Sequence, residues 1–185
     1  MLFFTLAFSS CNQVRLDNNE AEELIKKTLE LPKSYSYCVG WGQNASMWGA
    51  ASKLDALQND GLITWQDEPN GWEERILYLE PTEKGKPFLI RKNGNEYTFK
   101  IHDIDFDQIN GISIDKNSQT ATVRFTLKST NVTPIARSLS SGGFIKYSLD
   151  NLLNGELIFK KFDNGWQLQS DQNNTSNEIV NKLLK

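Results

Sequence analysis

Across residues 20–31 the apolar side chains Ala21, Leu24, Ile25 and Leu29 recur every three or four positions, the spacing of one face of an α-helix. Acidic residues open the segment, lysines follow, and Pro32 closes it, as the helix dipole and proline's missing amide require. Tyr35, Tyr37, Val39 and Trp41 then alternate with smaller residues, a period of two that predicts a short strand. Helical spacing returns over residues 45–59 with Met47, Ala50, Ala51, Leu54 and Leu57, and Gly61 is placed to cap the end. Strands are predicted over 62–65 and 75–79 around a turn at 67–71. Thr82, with Glu83 behind it, caps a helix that Gly85 and Pro87 keep brief.

Beyond residue 93 the pattern changes to β. Segments 96–105, 111–115, 120–128, 143–149 and 155–162 carry β-branched or aromatic residues in alternation, and Trp166 and Leu168 complete a hairpin across Asp163, Asn164 and Gly165. In 120–128 the residues Ala121, Val123, Phe125 and Leu127 form one face, and Thr122, Arg124, Thr126 and Lys128 the other, which describes a half-buried antiparallel strand. The expected fold class is α+β: an N-terminal domain over 20–92 and a C-terminal antiparallel β-sheet or small barrel over 93–170. Residues 12–19 are expected to form a tether, and 171–185 a polar linker and short amphipathic helix.

Charge narrows the function classes. Twenty Lys and Arg against 23 Asp and Glu leave a net −3 over 185 residues, with no overall attraction to phosphate backbones or anionic lipid. The first ten residues, MLFFTLAFSS, are apolar but too short to span a bilayer, which needs about 20. They match the hydrophobic part of a secretory signal ending in small residues. Phe8-Ser9-Ser10-Cys11 resembles the lipobox of bacterial envelope lipoproteins. That resemblance implies a signal peptide over 1–11, acylation of Cys11 and a membrane-anchored position in the cell envelope, facing the periplasm or the cell surface. Phe8 stands where leucine is usual, and no basic residue precedes the apolar run. If Cys11 carries lipid, Cys38 is left without a partner; a Cys11–Cys38 disulfide is the competing arrangement.

The order of a leucine-rich helix, Gly61-Leu62-Ile63, a variable hairpin, a strand and Thr82-Glu-Lys-Gly-Lys86 resembles the recognition helix, wing and following helix of bacterial winged helix-turn-helix regulators. The resemblance implies a winged-helix-like domain over 20–92. In such regulators the helix before Gly61 enters the major groove, yet here it offers Lys53, Asp55, Gln58 and Asn59 and no arginine. Residues 19–92 hold nine basic and twelve acidic side chains, 9 − 12 = −3, so phosphate would be repelled and no nucleic acid partner is expected. The segment then fits a scaffold or a protein-binding surface.

Catalytic chemistry has few candidates. His102 is the lone histidine; Asp103, Asp105 and Asp107 alternate opposite it, without the glycine and glutamate that a calcium loop requires. Cys38 lies among Tyr37, Val39 and Trp41, which predicts a packed thiol, and residues 138–143 read as a flexible loop lacking nucleophile-elbow spacing. No catalytic residue, metal or cofactor is expected. Tyr35, Tyr37, Trp41, Trp48, Trp65 and Trp72 form the candidate binding surface, since Tyr and Trp supply large contact area and stack on sugars or peptides. The expected protein is a lipid-anchored envelope protein acting as a non-catalytic binding or assembly module, with a protein or glycan partner. A cytoplasmic winged-helix regulator with a ligand-sensing β domain is the second expectation, and an envelope hydrolase the third.

Overall fold

A computed structural model describes residues 15–39, 54–70, 74–94, 96–143, 149 and 152–169. Helix α1 spans Asn18–Leu29, two residues earlier than its periodicity predicts. Asp17 begins it by accepting a hydrogen bond from the Glu20 amide at 2.9 Å, and Glu30 ends it in a left-handed conformation. Ala21, Ile25 and Leu29 form its buried stripe. Helix α2 is described over residues 54–59 and ends at Gly61, whose φ of +69° is the region glycine enters without strain. Helix α3, Pro134–Ser141, occupies most of the stretch expected as a flexible loop. Thr133 caps it by accepting from the Ala136 amide, and Pro134 takes the first turn, where no amide donor is needed.

Eight strands complete the described chain: β1 Lys33–Val39, β2 Ile63–Asn70, β3 Glu74–Pro81, β4 Leu89–Asn93, β5 Glu96–Asp115, β6 Thr120–Thr130, β7 Leu153–Phe162 and β8 Gly165–Leu168. One antiparallel sheet runs in the order β1-β5-β6-β7-β8, with β4 also paired to β5; β2 and β3 make a separate hairpin. The brief helix expected after Thr82 is a turn followed by a 3-10 turn at Lys86–Phe88.

The sheet is held together by β5, which absorbs both segments expected as separate strands at 96–105 and 111–115. Its register slips three times, leaving Ile101 unmatched against β1 and Asp107 and Asn110 unmatched against β6. Each extra residue reverses which parity of the strand faces inward. Tyr97, Phe99 and Ile101 face in before the first slip, Ile104 and Phe106 after it, Ile109 after the second, and Ile112 and Ile114 after the third. The bulges also bend the strand, and the sheet curls into a half-barrel.

Two cores result. The first joins Leu54 and Leu57 of α2, Leu62, Ile63 and Leu79 of the hairpin segment, Tyr97, Phe99 and Ile101, and Ile135, Ala136 and Leu139 of α3. The second joins the stripe of α1 to Ala121, Val123, Phe125, Leu127, Leu157, Phe159 and Trp166. Tyr35 packs against both.

These observations overturn the expected fold class. The chain is mostly β, not an N-terminal winged-helix domain followed by a β domain. The local elements of 54–81 are present, a helix stopped at Gly61 and a hairpin, but their partners differ. β1 pairs along seven residues with β5, across the expected division at residue 92, and α2 and the hairpin are buried against β5 and α3. An apolar helix stripe requires burial; it does not specify what covers it. The expected strand at 143–149 and the C-terminal helix lie outside the described residues, apart from Gly143 and Leu149.

Candidate functional site

A cluster of buried polar side chains, His102, Asp103 and Thr133, lies where the two cores meet, at the first bulge of β5. His102 is fully buried on the inward face, and its ring stacks on Tyr35, with centroids 5.4 Å apart and planes 23° from parallel. Burial pushes the imidazole below its ordinary pKa, against the opposing pull of Asp103, so the ring is neutral at pH 7.

Asp103 is 5% exposed. One carboxylate oxygen accepts from the Ser34 hydroxyl; the other accepts from Lys100 Nζ at 2.8 Å and from Asn131 Nδ2 at 2.9 Å. Burial alone would raise its pKa, but Lys100, Ser34 and Asn131 together hold it down to about 2. The bulge leaves the ladder open beside Lys100 and Ile101, and the Thr133 hydroxyl and amide close it by donating to their carbonyls at 3.0 and 2.8 Å. One carboxylate thus ties β1, β5 and the link between β6 and α3.

This arrangement works as a clasp between the elements it joins. The Asp103 carboxylate stays ionised across the neutral range, and the His102 imidazole beside it is enclosed. The alternating aspartates do not converge: Asp107, at the second bulge, bonds Thr126 and Lys128, each at 3.1 Å, and Asp105 accepts from the Phe106 amide. Among the described residues no three His, Cys, Asp or Glu side chains gather as metal ligands would.

Of the expected aromatic surface, Tyr35, Tyr37 and Trp65 are each partly buried against the first core. Trp65 Nε1 is buried with no hydrogen-bond partner, while the Trp65 amide accepts no such fate: it donates to Gln58 Oε1 at 2.7 Å. Trp41, Trp48, Trp72 and Cys11 lie outside the described residues. Cys38 corrects the expectation of a packed thiol. It alternates with Tyr37 and Val39 onto the outer face of β1, where its thiol is free and exposed. At the other end of the fold an open cleft of about 600 Å³ is lined by Arg15, Leu16, Asp17, Asn18, Asn19 and Ile112.

Ser34, Lys100, Asn131 and Thr133 were not among the expected site residues. Ser34 and Asn131 are 69 and 28 positions from Asp103, beyond any local pattern. Lys100, three positions away, was within sight, although a strand's alternation would place it on the opposite face. With the fold and clasp described, comparison adds no family: no family model matches the chain, and neither curated proteins nor solved structures give a match.

Proposed function

We propose that the chain is a lipid-anchored envelope protein whose half-barrel acts as a non-catalytic binding or assembly module. The observation that carries the reading is the apolar run ending at Phe8-Ser9-Ser10-Cys11, five positions ahead of Leu16, the first buried side chain among the described residues. The thiol of Cys11, placed after small residues, is the group a lipid would modify. The sealed His102 and fully bonded Asp103 favour binding over catalysis. Partly buried Tyr35, Tyr37 and Trp65 supply the aromatic contact area.

Labelled palmitate given to bacteria expressing the chain should enter the protein, and Cys11→Ala should abolish both the label and recovery in the membrane fraction. An unlabelled protein recovered in the soluble fraction would sink the proposal.

A further inference from the structure

Trp166 Nε1 donates to the Arg15 carbonyl at 3.3 Å, so Arg15, the first described residue, lies beside the β7–β8 hairpin. Four peptide steps separate Arg15 from Cys11, a reach of about 14 Å when fully extended. A lipid on Cys11 would therefore hold the bilayer surface within about that distance of Arg15. It could not hold it at α3, which follows the opposite end of the eleven-residue strand β6, on the order of 30 Å away.

The end of the sheet near Arg15 consists of two turns fastened together, because the Lys161 amide donates to the Gln119 carbonyl at 2.8 Å. It presents Phe162, a large apolar side chain left 46% exposed, with Lys160 Nζ 5.9 Å from its ring centroid. Arg15, Lys116, Lys160 and Lys161 stand against Asp17, Asp115 and Asp163, 4 − 3 = +1, at one end of a chain whose total is −3. Two of those carboxylates are already engaged: Asp17 by the Glu20 amide, Asp115 by the Asn117 amide and the Ser118 hydroxyl.

We propose that this sheet end is a membrane-contacting surface, in which Phe162 enters the headgroup layer and the lysines meet lipid phosphates, turning α3 and the first core away from the bilayer. The orientation rests on the reading that Cys11 carries the anchor. An aromatic ring flanked by long basic side chains suits an interface that is apolar on one side and anionic at the surface.

The test uses the acylated full-length protein purified from membranes and reconstituted into phosphatidylglycerol and phosphatidylcholine vesicles. In a Cys38→Ser background an environment-sensitive dye is placed at Asn164→Cys or, as the far-end control, at the exposed Arg137→Cys. Headgroup spin-labelled lipid should cause loss of fluorescence at 164 and none at 137. Reversing charge with Lys160→Glu and Lys161→Glu should diminish that loss in phosphatidylglycerol vesicles. Equal quenching at both positions, or quenching confined to 137, in protein whose intact mass shows the acyl chain overturns the orientation alone. A mass without the acyl chain overturns the anchor, and the orientation with it.

Discussion

The two cores along the half-barrel follow different rules. The second, beneath α1, is drawn chiefly from β6 and β7, whose apolar residues alternate without interruption from Ala121 to Leu127 and from Gly155 to Phe159, with Ile104 added from the bulged β5. The first collects α2, a separate hairpin, the N-terminal half of β5 and α3 from distant parts of the chain. It also holds a Trp65 Nε1 with no partner, and in α3 the Ser138 hydroxyl has none either. Where a pattern of period two defines a face, the neighbouring strand completes the core by backbone pairing. Where short elements converge without shared pairing, only shape and close backbone approaches fix the arrangement.

The largest expected effect tests the second core's interlocking. Gly155 pairs with Phe125, and a Cβ at Gly155 would overlap the Phe125 ring. Phe125→Ala is expected to cost about 3–5 kcal/mol of unfolding free energy in urea, and Gly155→Ala about 1–3 kcal/mol from overpacking. The double variant should cost less than the sum by about 1 kcal/mol or more, because the missing ring makes room for the added methyl. Strict additivity would show that the glycine does not serve the ring.

Gly85 asks the same question of the first core, with backbone in place of a ring. The turn that carries it closes on the end of α2 through Thr82, whose hydroxyl donates to the Gly61 carbonyl at 2.7 Å, and a Cβ at Gly85 would overlap the Leu62 carbonyl oxygen. Gly85→Ala is expected to cost about 2–3 kcal/mol, since a backbone carbonyl gives way less readily than a side chain. Hydrogen exchange should quicken in β2 and β3 while β6 and β7 stay protected. Uniform loss across both sets would erase the distinction between the cores.

Asp103 sits at the seam, and its effect depends on pH. Its folded pKa of about 2 lies below the ordinary 3.8. Its contribution is therefore fully present above about pH 4 and is lost as pH falls through about 2. The gap corresponds to about 2 kcal/mol. Urea midpoints measured between pH 6 and pH 2 should fall less for Asp103→Asn than for the wild type, the variant being less stable at pH 6. Parallel pH profiles for the two proteins would remove the clasp from the account of how the cores are joined.

The difference between the cores also explains what could be read from the sequence. Alternation in 120–128 and 155–162 identified β6 and β7 and their buried faces, and the helical stripe identified α1. Alternation failed in β5 between residues 105 and 111, because Asp107 and Asn110 each shift the phase and a fixed period stops there, while the shift at Ile101 lies inside the segment read as one strand. Elements over 54–81 were legible individually, yet no residue there encodes that β1 pairs with β5. The winged-helix reading followed from assembling correct pieces with their sequence neighbours. Of the clasp, His102 and Asp103 drew notice through residue type alone; Ser34 and Asn131 became its partners only through the curl of the sheet.

Two hydroxyls give the smallest test, and their signs should be opposite. Ser138 is 1% exposed on α3 and its Oγ has no hydrogen-bond partner, so its desolvation is uncompensated. Thr126 is 4% exposed on β6, and its hydroxyl donates to Asp107 Oδ2 at 3.1 Å. Ser138→Ala should leave stability unchanged or raise it by up to about 1 kcal/mol, since alanine removes the unsatisfied group and favours the helix. Thr126→Ala should lower it by about 1 kcal/mol, because a made bond is lost and the Asp107 oxygen loses a donor. Urea unfolding of the two variants beside the wild type decides the matter. A clear loss at Ser138 would mean that its hydroxyl is satisfied in solution, and Trp65 Nε1 would then carry the first core's polar mismatch.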